Sequence, residues 1–166
     1  MDSPALLEWL DRHSIQYRFH RHPAVFTSQE ARRLVPPLPG ASAKNLFLRD
    51  KKGERFFLLT FQDTKTPDLK ALAGQCGVSR LSLASAEQLA DLLGVEAGAV
   101  SLLALVNDLQ NRVEVLLDRD LAGAEFLHCH PLVNTATLVI SLEGVAAFLN
   151  LTQHLARWID IPQRNA

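Results

Sequence analysis

"KNLFLRDKKGERFFLLTF", Lys44 to Phe61, holds two extended runs around a four-residue turn. In the second run, "RFFLLTF", aromatic and aliphatic residues follow one another without alternation, the pattern of a strand covered on both faces. The first run, "KNLFLRD", is polar at both ends and apolar in the middle, and "KKGE" between them supplies a glycine for the turn. A hairpin whose second strand is buried on both sides belongs in the middle of a layered α/β domain, so the flanking chain must supply covering helices.

Those helices are legible. "SPALLEWLDRH" offers Ser3 as a cap, Pro4 in the first turn, and Leu6, Leu7 and Leu10 on one face. After a short strand in "IQYRF", "FTSQEARRLV" pairs Thr27 with Glu30 as a capping box. "PPLPG", Pro36 to Gly40, breaks the chain before the hairpin. Beyond it, "TPDLKALAGQCG" predicts a helix capped by Thr66, and "SAEQLADLLG" one capped by Ser85 with Gln88 and ended by Gly94. "RVEVLLDRD" and "TATLVIS" read as strands, and Ser141 caps a helix in "LEGVAAFLNL". The fold expected is α/β (α+β): a single compact domain over residues 1–166, with a central mixed, largely antiparallel sheet, surrounding short helices and a fraying tail from Gln163.

The composition limits the partners. Hydrophobic residues make up 48% of the 166, and 17 basic against 18 acidic side chains leave a net charge of -1. This excludes a disordered chain and gives no global attraction to DNA. No apolar run approaches a membrane span, the two cysteines form no disulfide framework, and no leader pattern opens the chain, so the expectation is a cytoplasmic protein without a membrane partner.

Three places hold chemistry-bearing side chains. Lys44 and Asn45 stand at the mouth of the first hairpin strand, where an ammonium and an amide suit an anionic, hydrogen-bonding ligand, although a lysine at a strand entrance is ordinarily a solvated one. The small-residue stretch "GVEAGAVSLLALVND", Gly94 to Asp108, permits a close backbone turn beside an apolar pocket but carries neither a dinucleotide fingerprint nor a phosphate-binding loop. Ser101 within it lacks the nucleophile-elbow pattern. "FLHCHPLVNTAT" groups His128, Cys129 and His130, yet has no second ligand pair for zinc and no third group to orient a Cys-His nucleophile. No metal site and no cofactor is expected. His130 before Pro131 reads either as a buried, hydrogen-bonded ring or as a site residue, and His20 and His22, two apart, share a strand face as rim or support.

Taken in order, "HRHPAVFTSQEA", "LPGASAKNLFLRDKKGERFFLL", "GVEAGAVSLLAL" and "HPLVNTATLVIS" resemble the aminoacyl-tRNA deacylase family related to the editing domain inserted in bacterial prolyl-tRNA synthetase. The resemblance is strongest to freestanding deacylases of alanine mischarged on proline tRNA. It implies trans-editing hydrolysis of Ala-tRNA(Pro), releasing alanine and free tRNA(Pro). Lys44 would be the principal functional lysine near the terminal adenosine and its phosphate, with Asn45 beside it. Gly98, Ala99, Val100, Ser101 and Leu102 would form the aminoacyl pocket, His130 would position substrate, and Phe26 and Thr27 would line the entrance. Relatives often carry proline after the loop's serine or threonine, where this chain has Leu102, which opens a different pocket shape and amino-acid preference. The partners implied are mischarged tRNA(Pro) through its acceptor end, and transiently prolyl-tRNA synthetase or translation factors. Arg21, Arg32, Arg33, Arg49, Lys51, Lys52 and Arg55 are the phosphate-facing candidates, against the reading of an ordinary solvated surface. Two alternatives stand beside this one: a deacylase for Cys-tRNA(Pro) or another small noncognate aminoacyl-tRNA, and a noncatalytic tRNA-binding or synthetase-associated module.

Overall fold

The computed structural model describes residues 1–165. The hairpin forms as its pattern requires, from β2 (Ala43–Asp50) and β3 (Phe56–Gln62), antiparallel with Lys44 opposite Phe61 and Arg49 opposite Phe56. Six of the seven β3 residues are buried, because the strand separates two apolar layers. Phe56 and Leu58 face one, and Phe57, Leu59 and Phe61 face the other.

The remaining elements supply those layers. They are α1 (Ser3–Arg12), β1 (Arg18–Arg21) and α2 (Ser28–Leu34) before the hairpin, then α3 (Leu69–Cys76), β4 (Leu81–Leu83) and α4 (Ala86–Leu93) after it. Two short 3-10 turns, Ala97–Ala99 and Leu102–Asn107, lead to β5 (Val113–Asp118), β6 (Phe126–Cys129), β7 (Ala136–Ser141), α5 (Leu142–Leu151) and β8 (Ala156–Ile159). A five-stranded sheet runs β4-β2-β3-β5-β8, antiparallel on the hairpin side and parallel across β3-β5 and β5-β8. The strands therefore do not form one sheet. β1, β7 and β6 make a separate antiparallel sheet of three, joined to the first through an Ala41–Leu127 bridge. The layer between the sheets also takes Leu6 and Leu10 of α1, Leu93 of α4 and Phe148 of α5, and the opposite face is covered by Leu72, Ala73 and Cys76 of α3.

Caps differ from expectation at two helices. Asp2, not Ser3, caps α1 by accepting the Ala5 N–H at 3.0 Å, and Asp68, not Thr66, caps α3 by accepting the Ala71 N–H at 3.1 Å. In both, the carboxylate sits three residues before its donor, and it gains from the positive end of the helix where a hydroxyl would gain less. Thr27 accepts the Glu30 N–H at 3.0 Å, but Glu30 returns to the Thr27 hydroxyl at 3.4 Å rather than to its backbone, so only half of that box forms. Ser85 and Gln88 complete theirs, and Gly94 ends α4 in the left-handed region.

The expected fraying does not begin at Gln163. Gln163 bridges Pro67, and the Arg164 N–H donates to the Thr66 carbonyl at 3.0 Å; Ala166 lies outside the described residues. Among the described residues, no helix is long and apolar enough to cross a membrane.

Candidate functional site

Where the two sheets meet, a cleft of about 650 Å³ opens at the mouth of β2. Its position follows from the strand pairing. β4 covers β2 only from Leu48 to Asp50, so the first half of β2 is a free edge turned toward β6. Gly40 makes the junction. Its φ is +104°, and a Cβ there would lie 2.6 Å from the Phe126 carbonyl oxygen. Only glycine allows this approach, which lets the Ala41 N–H donate to Phe126 and the His128 N–H to Ala41.

The cleft gathers Lys44 and Asn45 of β2, Gly98 and Val100 of the small-residue loop, His128 of β6 and His130 just beyond it. Phe26, Thr27 and Arg32 stand on its other wall. Lys44 and Asn45 leave opposite faces of the strand, as alternation demands, so the cleft wraps around the strand end. Lys44 is exposed and makes no ion pair among the described residues. Asn45 is half-buried, and its Oδ1 accepts the Thr60 hydroxyl proton at 2.6 Å, which leaves both amide N–H groups for a ligand.

His130 is half-buried, and its Nδ1–H donates to the Ala136 carbonyl at 2.9 Å. A carbonyl only accepts, so the proton sits on Nδ1 and the neutral ring keeps Nε2 as an acceptor. Burial is the main cause that holds its pKa below the ordinary histidine value; the neighbouring His22 adds to the effect, and the Ala136 hydrogen bond opposes it. His22 is a support residue. Its Nδ1–H donates to Pro23 at 2.8 Å, and its Nε2 meets the hydroxyl of Thr137, a residue of the cleft wall, at 2.8 Å. Cys129 is 3% exposed, and burial pushes its thiol up to about 12. It is no nucleophile at neutral pH.

The loop divides. Gly98 and Val100 face the cleft, whereas Ala99, Ser101 and Leu102 are 6%, 0% and 1% exposed and belong to the core. Ser101 begins the second 3-10 turn, and its Oγ accepts the Leu103 N–H at 3.1 Å. Leu102 packs inward, so its substitution for proline does not present a side chain to the pocket. Gly98 is where the backbone comes close: a Cβ would meet the Phe26 ring and the Asn134 amide, each at 3.1 Å.

The basic candidates also separate. Arg32 and Arg33 project from α2 beside the cleft, and Arg21 is exposed on β1, its guanidinium 5.9 Å from the Phe19 ring centre. Arg49, Lys51, Lys52 and Arg55 lie at the other end of the hairpin, roughly 20 Å from Lys44 at 3.4 Å per residue. Arg55 is engaged there by Glu114, with hydrogen bonds of 2.9 and 2.8 Å, and by the Cys76 carbonyl. Arg49 folds onto the Asp50 and Lys51 carbonyls to hold the turn. Each of these two arginines thus spends donors on a local turn or strand contact. Sequence reasoning missed Asp63, Thr64 and Thr137 on the cleft wall. For Asp63 the hairpin register was the signal: Lys44 opposite Phe61 puts Asp63 beyond the end of β3, opposite Ser42.

Residues 22–148 match the sequence model of a family described as the aminoacyl-tRNA editing domain. Prolyl-tRNA synthetase associated domain-containing protein 1 of Danio rerio is 39% identical over 151 residues, covering 90% of this chain and 82% of its own. The prolyl-tRNA editing protein ProX of Acetoanaerobium sticklandii is 32% identical over 157 residues, covering 95% and 96%. A solved structure named as a candidate trans-editing enzyme for prolyl-tRNA synthetase superposes over 99% of both chains with a TM-score of 0.74, at 19% identity, a likeness of fold alone.

Proposed function

Because the chain belongs to the aminoacyl-tRNA editing domain family, and is accordingly an aminoacyl-tRNA deacylase of the prolyl-tRNA editing type, we propose that its substrate is Ala-tRNA(Pro), hydrolysed in trans to alanine and free tRNA(Pro). The observation that carries this reading is the meeting, in one cleft, of Lys44, Asn45, Gly98, Val100 and His130 from three separate stretches of chain.

Lys44, an exposed cation, holds the phosphate of the terminal adenosine and fixes the ester in the cleft. Phe26, 71% exposed at the lip, offers a face for the adenine, and such stacking is worth roughly 1–3 kcal/mol per base. Water attacks the carbonyl carbon, the bond to the ribose oxygen breaks, and that oxygen leaves with a proton as the tRNA hydroxyl. The Asn45 amide and the backbone around Gly98 stabilise the developing oxyanion, a neighbouring ribose hydroxyl helps organise the water, and Nε2 of His130 accepts a hydrogen bond from substrate or water. No covalent enzyme intermediate is needed, consistent with a buried Ser101 and a protonated Cys129.

Selectivity comes from a wall of Gly98 and Val100 that takes a methyl group and leaves little room for a proline ring. The acceptor stem supplies the rest, because Ala-tRNA(Ala) must be spared. The partner is the acceptor end of mischarged tRNA(Pro), delivered by transient contact with prolyl-tRNA synthetase or a translation factor, in the cytoplasm.

The test is an initial-rate panel of Ala-, Cys-, Ser- and Pro-charged tRNA(Pro) with Ala-tRNA(Ala). Release of alanine from tRNA(Pro) alone is expected. Preferential cysteine release would move the specificity to the related substrate, and tRNA binding without any release would make the chain a noncatalytic module.

A further inference from the structure

We infer that Asp63 recognises the α-ammonium group of the aminoacyl ester, an inference that rests on the aminoacyl-ester reading of the cleft. Asp63 follows β3 directly, and the ladder extends to it, since its N–H donates to the Ser42 carbonyl at 3.3 Å. It therefore shares a sheet face with Lys44 and is its diagonal neighbour, roughly 7–8 Å away between backbones. It is the single carboxylate among the described residues that line the cleft.

Its hydrogen bonding sets it apart. Three buried aspartates, by contrast, are met by donors of the chain. Asp118 accepts from the Gln62 and Asp120 N–H groups and from Lys65. Asp108 accepts from the Arg112 and Val113 N–H groups and meets His154, and Asp50 accepts from the Glu54 and Arg55 N–H groups. The Asp63 side chain is 10% exposed, yet its oxygens accept no hydrogen bond among the described residues. The nearest cation, Nη2 of Arg32, stands 3.8 Å away on a side chain that is 61% exposed, too far for the 2.7–2.9 Å of a charge-assisted hydrogen bond. The Asp63 oxygens stay at the cleft surface, so a donor that enters the cleft reaches lone pairs that the chain leaves free.

The ligand's chemistry follows from there being one carboxylate. A divalent ion of the calcium type gathers six or more oxygens, whereas an ammonium group needs only an acceptor of opposite charge. Every aminoacyl ester carries such a group one carbon from its reacting carbonyl. With Lys44 toward the phosphate of the terminal nucleotide and Asp63 toward the ammonium group, the cleft matches the polarity of an aminoacylated nucleotide and holds the ester carbonyl between them.

The test compares tRNA(Pro) charged with alanine against the same tRNA charged with lactate, whose α-hydroxyl replaces the amine, each rate being divided by the uncatalysed rate of that ester. Wild type should favour the alanyl ester, and Asp63→Asn should lower alanyl release roughly ten- to a hundred-fold while changing lactyl release less than about three-fold. Arg32→Met should keep the alanyl preference. An equal fall on both esters in Asp63→Asn would overturn the inference and make Asp63 a general base or a scaffold. So would unchanged rates, or loss of the preference in Arg32→Met. A wild type that releases neither acid would overturn this inference together with the reading beneath it, whereas one that releases alanine without help from Asp63 overturns this alone. Should Asp63→Asn not fold, wild-type affinity for adenosine carrying a 3′-alanylamide against a 3′-lactylamide decides: equal affinities would overturn the assignment.

Discussion

Lys44 is exposed and unpaired among the described residues while His130 is half-buried and hydrogen-bonded, so substitutions at the two residues separate function from stability. Lys44→Ala should lower kcat/KM for deacylation by about 100-fold, the scale of losing a positioning and electrostatic contact, with the thermal midpoint unchanged. A normal rate in a folded Lys44→Ala protein would remove its role. His130 works in the opposite sense. Its folded pKa lies below the ordinary value of 6.5, so below pH 6.5 the unfolded chain binds the proton first. Stability contributed by the neutral ring is complete above that pH and is lost as pH falls toward the folded pKa. Denaturant titrations from pH 7 to 5 should therefore show wild type losing stability relative to His130→Gln. Cys129, with its thiol near 12, should resist alkylation at pH 8 until the protein unfolds. At this scale the sequence showed which residue types stood near one another, but not which way they faced. Ser101 and Leu102 follow Val100 in the chain and turn into the core, because Val100 and Ser101 join the two 3-10 turns outside either of them, Ser101 is extended and sends its side chain away from that of Val100, and Leu102 opens the buried second turn.

The elements that could be read were those with local signals. The hairpin declared itself by glycine between apolar runs, and α4 by its serine, glutamine and closing glycine, each fixed by contacts a few residues apart. β4 and β8 are three or four residues long and owe their existence to partners far along the chain, and β6, although its partner β7 is the next strand, is as short, so no period could reveal them. Gly40 belongs to this scale, since it joins two sheets rather than serving one residue. Gly40→Ala faces a strained φ, about 1–3 kcal/mol, and a backbone contact that cannot yield. The thermal midpoint should fall, and deacylation should fall further than stability explains, because β2 then carries Lys44 away from His130. A Gly40→Ala enzyme with wild-type kcat would show that the junction does not set the cleft.

Across the whole molecule, charge lies at both ends of the hairpin, but the cleft lies at only one. Lys51 and Lys52 are exposed on the distal turn, roughly 20 Å of strand away from Lys44. Lys51→Ala with Lys52→Ala should therefore raise KM for aminoacyl-tRNA and flatten its salt dependence with kcat unchanged, the signature of binding shared by ground and transition states. A fall in kcat would place the turn nearer the ester than the strand length allows. The layered α/β class was legible because β3 is apolar on every side. The division into two sheets was not, since it depends on Ala41 meeting Leu127 across 86 residues of chain.

The parallel pairing of β5 with β8 has a consequence for how the protein behaves toward its own copies. β8, Ala156–Ile159, covers an edge of β5 that would otherwise present an open row of backbone donors and acceptors. Removing Ala156–Ile159 should therefore turn that edge into a template for self-association, read as light scattering that rises with protein concentration.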